Sequence, residues 1–333
     1  MKDQPRCLMV CQAGEGVGLG HLMRSIAAAN TLQQWCNAHI YFLVQGLAVD
    51  QQLVGNFSSQ YITPQQDLNE AISQCVQLSG ANVVVFDLFG PWVPLALPQT
   101  LCTLKELRIR LVAIDALPGC LNLLDLLFIP SFLEPVLREQ PAKKVVYGWD
   151  CFLLNVQSQK GMLPSSKNVL VLTGGSDTTF LGGVWPALLN ANLPNNTKVD
   201  WVTGPFAPNP LWPSSSRIQI QNYNAPHGLA HLMCQTNYAL TVYGVSFYEL
   251  LFFGVPTVVF SPYGDKDNHD LQAVKSEGLA LVAKSQAHAV ELLGTLMSDT
   301  ALSNTLSSRA KAKMITSGGK RLADEVSLLL TQK

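Results

Sequence analysis

Charge is scarce in this chain. Lys and Arg number 22 and Asp and Glu 23 in 333 residues, which leaves 14% charged and a net charge of −1. No basic tail or stripe gathers the few cations. Nucleic acid is therefore not expected as a partner, because neutralising phosphates needs clustered Lys and Arg. A free nucleotide is not excluded by this, since helix N-termini and backbone amides hold phosphate without net charge. No run of about 18 apolar residues occurs, so no transmembrane helix is expected. The opening MKDQPR has no secretory signal pattern. Among the eight cysteines there is no C-x-x-C pair. Cys7 and Cys11 lack a matching second pair, so neither a metal site nor any other cofactor is expected. The remaining cysteines (Cys36, Cys75, Cys102, Cys120, Cys151 and Cys234) are scattered, and most sit in apolar runs. They read as small buried hydrophobes, which fits a reducing cytoplasm. G-x-S-x-G, P-loop and H-E-x-x-H motifs are missing as well.

Apolar residues, by contrast, are plentiful at 48%, enough for large cores. The length predicts two domains. Short apolar runs alternate with segments of helical spacing, which implies βαβ units and a parallel sheet covered on both faces. Strands are expected at Cys7 to Gln12, Ile40 to Val44, Asn82 to Phe86, Leu111 to Ile114, Leu124 to Ile129 and Lys144 to Tyr147. His21 to Trp35 and Asp67 to Leu78 read as helices. The polar stretch from Asn155 to Lys167 reads as a linker, dividing the chain into residues 1–158 and 165–333. After it the pattern restarts, with strands at Asn168 to Leu172, Lys198 to Val202, Ile218 to Gln221, Tyr238 to Thr241 and Thr257 to Phe260. Helices are expected at Pro226 to Cys234, Ser246 to Phe253 and over the last thirty or so residues. Each half places a glycine-bearing turn after its first strand. The fold class is α/β, with doubly wound parallel sheets.

Ligands of such sheets lie beyond the carboxyl ends of the strands, so the residues just after the strands are read first for function. Gly18-Leu19-Gly20-His21-Leu22-Met23-Arg24 follows the first strand. Glycines permit a tight turn and close approach to a ligand. His21 would open the next helix, placed to move a proton near neutral pH, with Arg24 one turn on. The plain alternative is a βα turn with a capping histidine. G-x-G-x-x-G is not met, because Gly14, Gly16, Gly18 and Gly20 alternate. Asp87 and Asp115 end later strands. In the second half, Gly174-Gly175-Ser176-Asp177 offers backbone amides for an anion, or merely a helix cap. Tyr243-Gly244-Val245-Ser246-Phe247-Tyr248-Glu249 reads as a capping box, Ser246 to Glu249. Its alternative is Glu249 accepting from ribose hydroxyls. Asp265 to Asp270 is a charged loop beyond another strand. His227 and His231 stand four apart on an expected helix without a third ligand, and are read as structural.

These pieces, in this order, resemble a known family. GVGLGHLMR, VVVFDLFG, VAID, KKVVYGWDCFLLN, VLVLTGGSD, ALTVYGVSFYELLFFGVPTVVF and DNHDLQAV together resemble the UDP-sugar hydrolase of pseudaminic acid biosynthesis and its spore-coat-polysaccharide relatives. More distantly the chain is similar to the peptidoglycan N-acetylglucosaminyltransferase. The resemblance implies the GT-B fold, two Rossmann-like domains facing a cleft. It implies His21 as catalytic base, with Asn268 near the reacting centre. Gly18, Gly20, Arg24, Asp87, Phe89 and His269 would bind the sugar. Gly174, Gly175, Ser176, Asp177, Tyr243, Gly244, Ser246 and Glu249 would hold the nucleotide, with Glu249 on the ribose. Four positions depart from the hydrolase pattern. Leu88-Phe89 replaces His-Tyr, His269 replaces Gln, and Asn155 stands where Arg is usual. The expected activity is metal-independent hydrolysis of a UDP-sugar, with transfer to a glycan, lipid-linked or protein acceptor as the alternative, and a non-catalytic binding protein as a third.

Overall fold

Runs such as Leu8 to Val10 and Val83 to Phe86 are apolar on both sides of the strand, so both sides need cover. A parallel sheet between two helical layers provides it. The structure, a computed structural model, describes residues 4–14, 17–47, 50–115, 117–137, 140–156, 167–226 and 228–331. The chain divides into two units: Met1–Asn155 with Ser317–Lys333, and Val156–Thr316.

The first unit contains strands β1 (Arg6–Gly14), β2 (His39–Leu47), β3 (Ser58–Ile62), β4 (Val83–Asp87), β5 (Arg110–Ile114), β6 (Leu126–Ile129) and β7 (Val145–Tyr147). They form one parallel sheet in the order β3-β2-β1-β4-β5-β6-β7. Helices α1 (Gly20–Cys36), α2 (Leu68–Ser79) and α3 (Leu97–Glu106) connect them. Met9, Val85 and Val112 pack with Leu22, Ile26 and Leu32 of α1 on one face. Leu8, Val84 and Leu111 pack with Ile72 of α2 and Leu101 of α3 on the other.

The second unit repeats the plan. Strands β8 (Asn168–Leu172), β9 (Lys198–Thr203), β10 (Gln219–Asn224), β11 (Tyr238–Val242), β12 (Thr257–Phe260) and β13 (Leu281–Ala283) are parallel, in the order β10-β9-β8-β11-β12-β13. Its helices are α4 (Leu181–Asn192), α5 (Ala230–Met233), α6 (Val245–Phe253), α7 (Asn268–Ser276), α8 (Gln286–Ser298) and α9 (Thr300–Lys313). In each unit the chain leaves the first strand to one side and returns on the other. This leaves a topological switch point beside β1 and beside β8, where such sheets take their ligands.

The structure adds to the expected elements. β3 is an edge strand whose first residues are exposed, so it carries no apolar alternation to read. β13 has only three residues. The helix expected over Pro226 to Cys234 shortens to α5. The C-terminal stretch is three helices, and the last, α10 (Gly319–Thr331), returns to the first unit. There Leu322, Val326 and Leu329 join Ala28 and Leu32 of α1 in the core. The junction of α10 with its unit is tight, because a Cβ at Gly319 would stand 2.1 Å from the Thr31 hydroxyl oxygen. Most of the expected linker, residues 157–166, lies outside the described residues, as do Gly16 and His227.

Candidate functional site

At the first switch point, β1 ends in a loop closed on itself. Gly14 and Gly18 exchange backbone hydrogen bonds of 2.9 and 2.8 Å. Gly14 has φ +111°, and a Cβ there would meet the Leu47 carbonyl oxygen at 2.1 Å, so only glycine fits. Gly18 is left-handed with φ +81°. Gly20 begins α1 and crowds nothing. No side chain caps α1, so His21 is not a cap. Its ring turns instead to Asp87, at the end of β4, with Nδ1 2.6 Å from Oδ1.

Asp87 is 1% exposed at its side chain. Arg24 donates to it twice, Nε to Oδ2 at 3.0 Å and Nη2 to Oδ1 at 2.6 Å. Burial alone would raise the Asp87 carboxyl. The Arg24 charge, followed by the His21 hydrogen bond, outweighs it and holds the group below the usual carboxylate range. Asp87 is thus ionised and can only accept, so the proton between it and His21 sits on Nδ1. In the neutral tautomer this fixes, Nε2 is the atom that carries the lone pair. The 3.2 Å approach of Arg24 Nη2 to Nδ1 is then a contact between two donors. Arg24 also donates to Asp115 at 3.2 Å. Asp115, beyond β5, adopts φ +66°, an uncommon conformation for a residue with a side chain. Its carboxylate is half-exposed.

Phe89 packs against His21, ring centroids 6.2 Å apart, and Trp92 packs against Phe89 at 6.3 Å. A buried amide fixes this loop. Gln12 Oε1 accepts from the Phe89 N–H at 2.8 Å, and Gln12 Nε2 donates to Gln45 Oε1 at 2.8 Å. Sequence reasoning missed Gln12 and Gln45 as site residues. A glutamine inside an otherwise apolar strand is the signal that marks Gln12.

In the second unit the glycine turn follows β8. Gly174 has φ +83°. A Cβ at Gly204 would stand 2.3 Å from the Gly174 carbonyl oxygen and 2.5 Å from that of Gly175. Gly204, unmarked in the sequence reading, therefore lets the end of β9 seat the turn. Asp177 is buried, and its two oxygens accept from Leu181 N and Gly182 N, each at 2.7 Å. Those first amides of α4 are occupied by this carboxylate, so Asp177 acts as the cap. The amides of Gly174, Gly175 and Ser176 are not engaged by this carboxylate. Nearby, the Thr203 hydroxyl is buried with no partner among the described residues.

α6 begins at Val245 with Gly244 as its cap position and no side-chain cap. Ser246 lies inside the first turn, so the capping box does not form. Glu249 has no hydrogen-bond or ion-pair partner among the described residues. Burial pushes its carboxyl up to about 7. Tyr243 donates to Asp270 at 2.9 Å and receives from Tyr248 at 2.7 Å, which ties α6 to α7. In the following loop the exposed Asn268 donates to Asp265 at 2.6 Å, and Ser261 donates to Asp267 at 2.7 Å. Asp265-Lys266-Asp267 is a D-x-D pair, whereas the sequence reading held that no such pair occurs and took that as support for metal independence. His269 is exposed.

His21, Arg24, Asp87 and Phe89 thus come together in the first unit. The glycine turn after β8 and the Gly244–Glu249 segment lie at strand ends of the second, flanking the β8/β11 pair.

No protein-family model matches the chain, and no curated protein matches it in sequence. The pseudaminic acid hydrolase resemblance therefore gains no support at that level. Solved structures do match over the whole chain. A UDP-glucosyltransferase from Polygonum tinctorium superposes with TM-score 0.69 at 15% identity, covering all of both chains. MurG of Acinetobacter baumannii gives 0.63 at 15%, over 97% of this chain and 100% of that one. The UDP-GlcNAc 2-epimerase from Neisseria meningitidis gives 0.62 at 12%, with coverage of 97% and 100%. The class these likenesses define is a fold: the chain has the GT-B architecture, two Rossmann-like domains. Most of the neighbours carrying it are glycosyltransferases, such as the calicheamicin glycosyltransferase CalG4 and SnogD.

Proposed function

We propose that the protein is a nucleotide-sugar-dependent glycosyltransferase in which His21 is the general base. The observation that carries this reading is the 2.6 Å pair between His21 and an ionised, buried Asp87. Asp87 fixes the tautomer, and Arg24 keeps Asp87 charged. The acceptor hydroxyl gives its proton to His21 Nε2. Its oxygen forms the new bond to the anomeric carbon, the bond from that carbon to the nucleotide phosphate oxygen breaks, and the electron pair leaves with the diphosphate. The first unit supplies the base and the acceptor side. The second binds the nucleotide, with Gly174 to Ser176 and the start of α6 offering amides to the diphosphate. Glu249, without a partner among the described residues, accepts from the ribose hydroxyls. UDP is the favoured nucleotide, through the UDP-utilising neighbours. Transfer is preferred to hydrolysis because the neighbours reported above are mainly transferases.

The test is a panel of UDP-, dTDP- and GDP-sugars, assayed for nucleotide release with wild type, His21→Ala and Asp87→Asn. A positioned base contributes about 10²–10⁴-fold, so both substitutions should cut kcat by that order while nucleotide affinity stays unchanged. Acceptor-free release of nucleotide and free sugar at the full rate would establish hydrolysis instead.

A further inference from the structure

A second feature of the first unit bears on what the enzyme glycosylates. A cavity of about 380 Å³ opens beyond the ends of β2 and β3, lined by Gln45, Pro64, Gln66, Leu68, Trp92 and Pro94. Two side chains link its wall to the base, because Trp92 packs on Phe89 and Phe89 on His21. Gln12 ties its wall to the same loop through Gln45 and the Phe89 backbone.

The lining defines the ligand. It holds no cation. Its one charged side chain, Asp67, already accepts from Asn69 N at 2.8 Å and Glu70 N at 3.4 Å as the cap of α2. A diphosphate or carboxylate finds nothing there to neutralise it, and burying an unpaired charge is costly. Gln66 Oε1 accepts from Thr63 N at 2.7 Å, which leaves its NH₂ group without a partner among the described residues. The Trp92 indole N–H is likewise unpartnered among them. Gln45 is fixed by Gln12 on one side and donates to the Gln66 carbonyl on the other. The cavity therefore offers one indole ring, two prolines, one leucine and two N–H donor groups. A neutral ring with C–H on its face and oxygens at its edge complements that set.

We infer that this cavity is the acceptor subsite and that it takes an uncharged sugar residue stacked on Trp92, an inference that rests on the transferase reading. Trp92 and Gln66 are specificity-determining residues for that acceptor.

Saturation-transfer NMR on the full chain tests it, with methyl glycopyranosides of glucose, galactose, mannose and N-acetylglucosamine, 4-nitrophenol and inorganic pyrophosphate as probes. At least one methyl glycoside should bind wild type. Its Kd should rise about tenfold in Trp92→Ala, the loss expected for one aromatic contact. It should return toward wild type in Trp92→Phe and rise less steeply in Gln66→Ala, an exposed position that leaves folding intact. UDP affinity in the same samples should not move. The inference is overturned if no methyl glycoside binds wild type, if Trp92→Ala and Gln66→Ala both bind it normally, or if Trp92→Ala loses 4-nitrophenol or pyrophosphate instead. Glycoside binding without any UDP-sugar turnover would overturn the transferase reading and the acceptor role with it, leaving only a sugar-binding cavity.

Discussion

Two titratable side chains meet opposite requirements in this protein. Asp87 is buried and must stay charged; Arg24 and His21 achieve that. Glu249 is partly buried with no partner among the described residues, and desolvation raises its carboxyl to about 7 from an ordinary 4.5. Between pH 4.5 and 7 the folded chain holds a proton on Glu249 that the unfolded chain has released, so stability falls as pH rises through that window. Glu249→Gln should remove the fall, and at pH 8 the variant should be more stable than wild type by up to about 3 kcal/mol. At pH 4 the two should melt alike. Ribose hydroxyls donate best to the ionised group. UDP affinity should therefore improve about tenfold more between pH 6 and 8 in wild type than in Glu249→Gln, and proton release on binding, measured by calorimetry in two buffers, should accompany it.

At the scale of the elements, the functional geometry depends on where glycine permits backbone to touch backbone. Gly204→Ala would drive a methyl into two carbonyls of the turn after β8. Overpacking of this kind costs about 1–3 kcal/mol, and the turn must move to relieve it. UDP affinity should drop while glycoside binding to the His21 unit stays intact. Unchanged UDP affinity would remove the turn from the nucleotide site. The same elements show what could be read in advance. Central strands were legible because both their faces are buried and apolar. The strand-end acids and His21 were legible because they interrupt that apolarity. β3 was not, because an edge strand with exposed residues has no pattern to detect. The Ser246 to Glu249 spacing mimicked a capping box, but the helix starts one residue earlier on the backbone of Gly244. In sequence Asp177 read more readily as a helix cap than as part of a phosphate loop; its two 2.7 Å amide bonds show it capping α4.

For the molecule as a whole, the excursion of the chain matters most. Helix α10 leaves the second unit's stretch of sequence and completes the first unit's core. No sequence pattern announces this, since an amphipathic helix does not say which sheet will cover it. Deleting residues 317–333 should expose Leu32 and its neighbours and remove on the order of 5 kcal/mol of burial, comparable with the whole stability of a domain. Scanning calorimetry should show the first unit's transition lowered or lost and UDP binding retained.

The central claim is that His21, oriented by Asp87, activates an acceptor hydroxyl toward a nucleotide-bound sugar. The most direct measurement is UDP release from UDP-sugars with and without added methyl glycosides, comparing wild type with His21→Ala. The account predicts release that depends on His21 and rises when the accepted glycoside is added, with the disaccharide as product. A His21→Ala enzyme as active as wild type would contradict it.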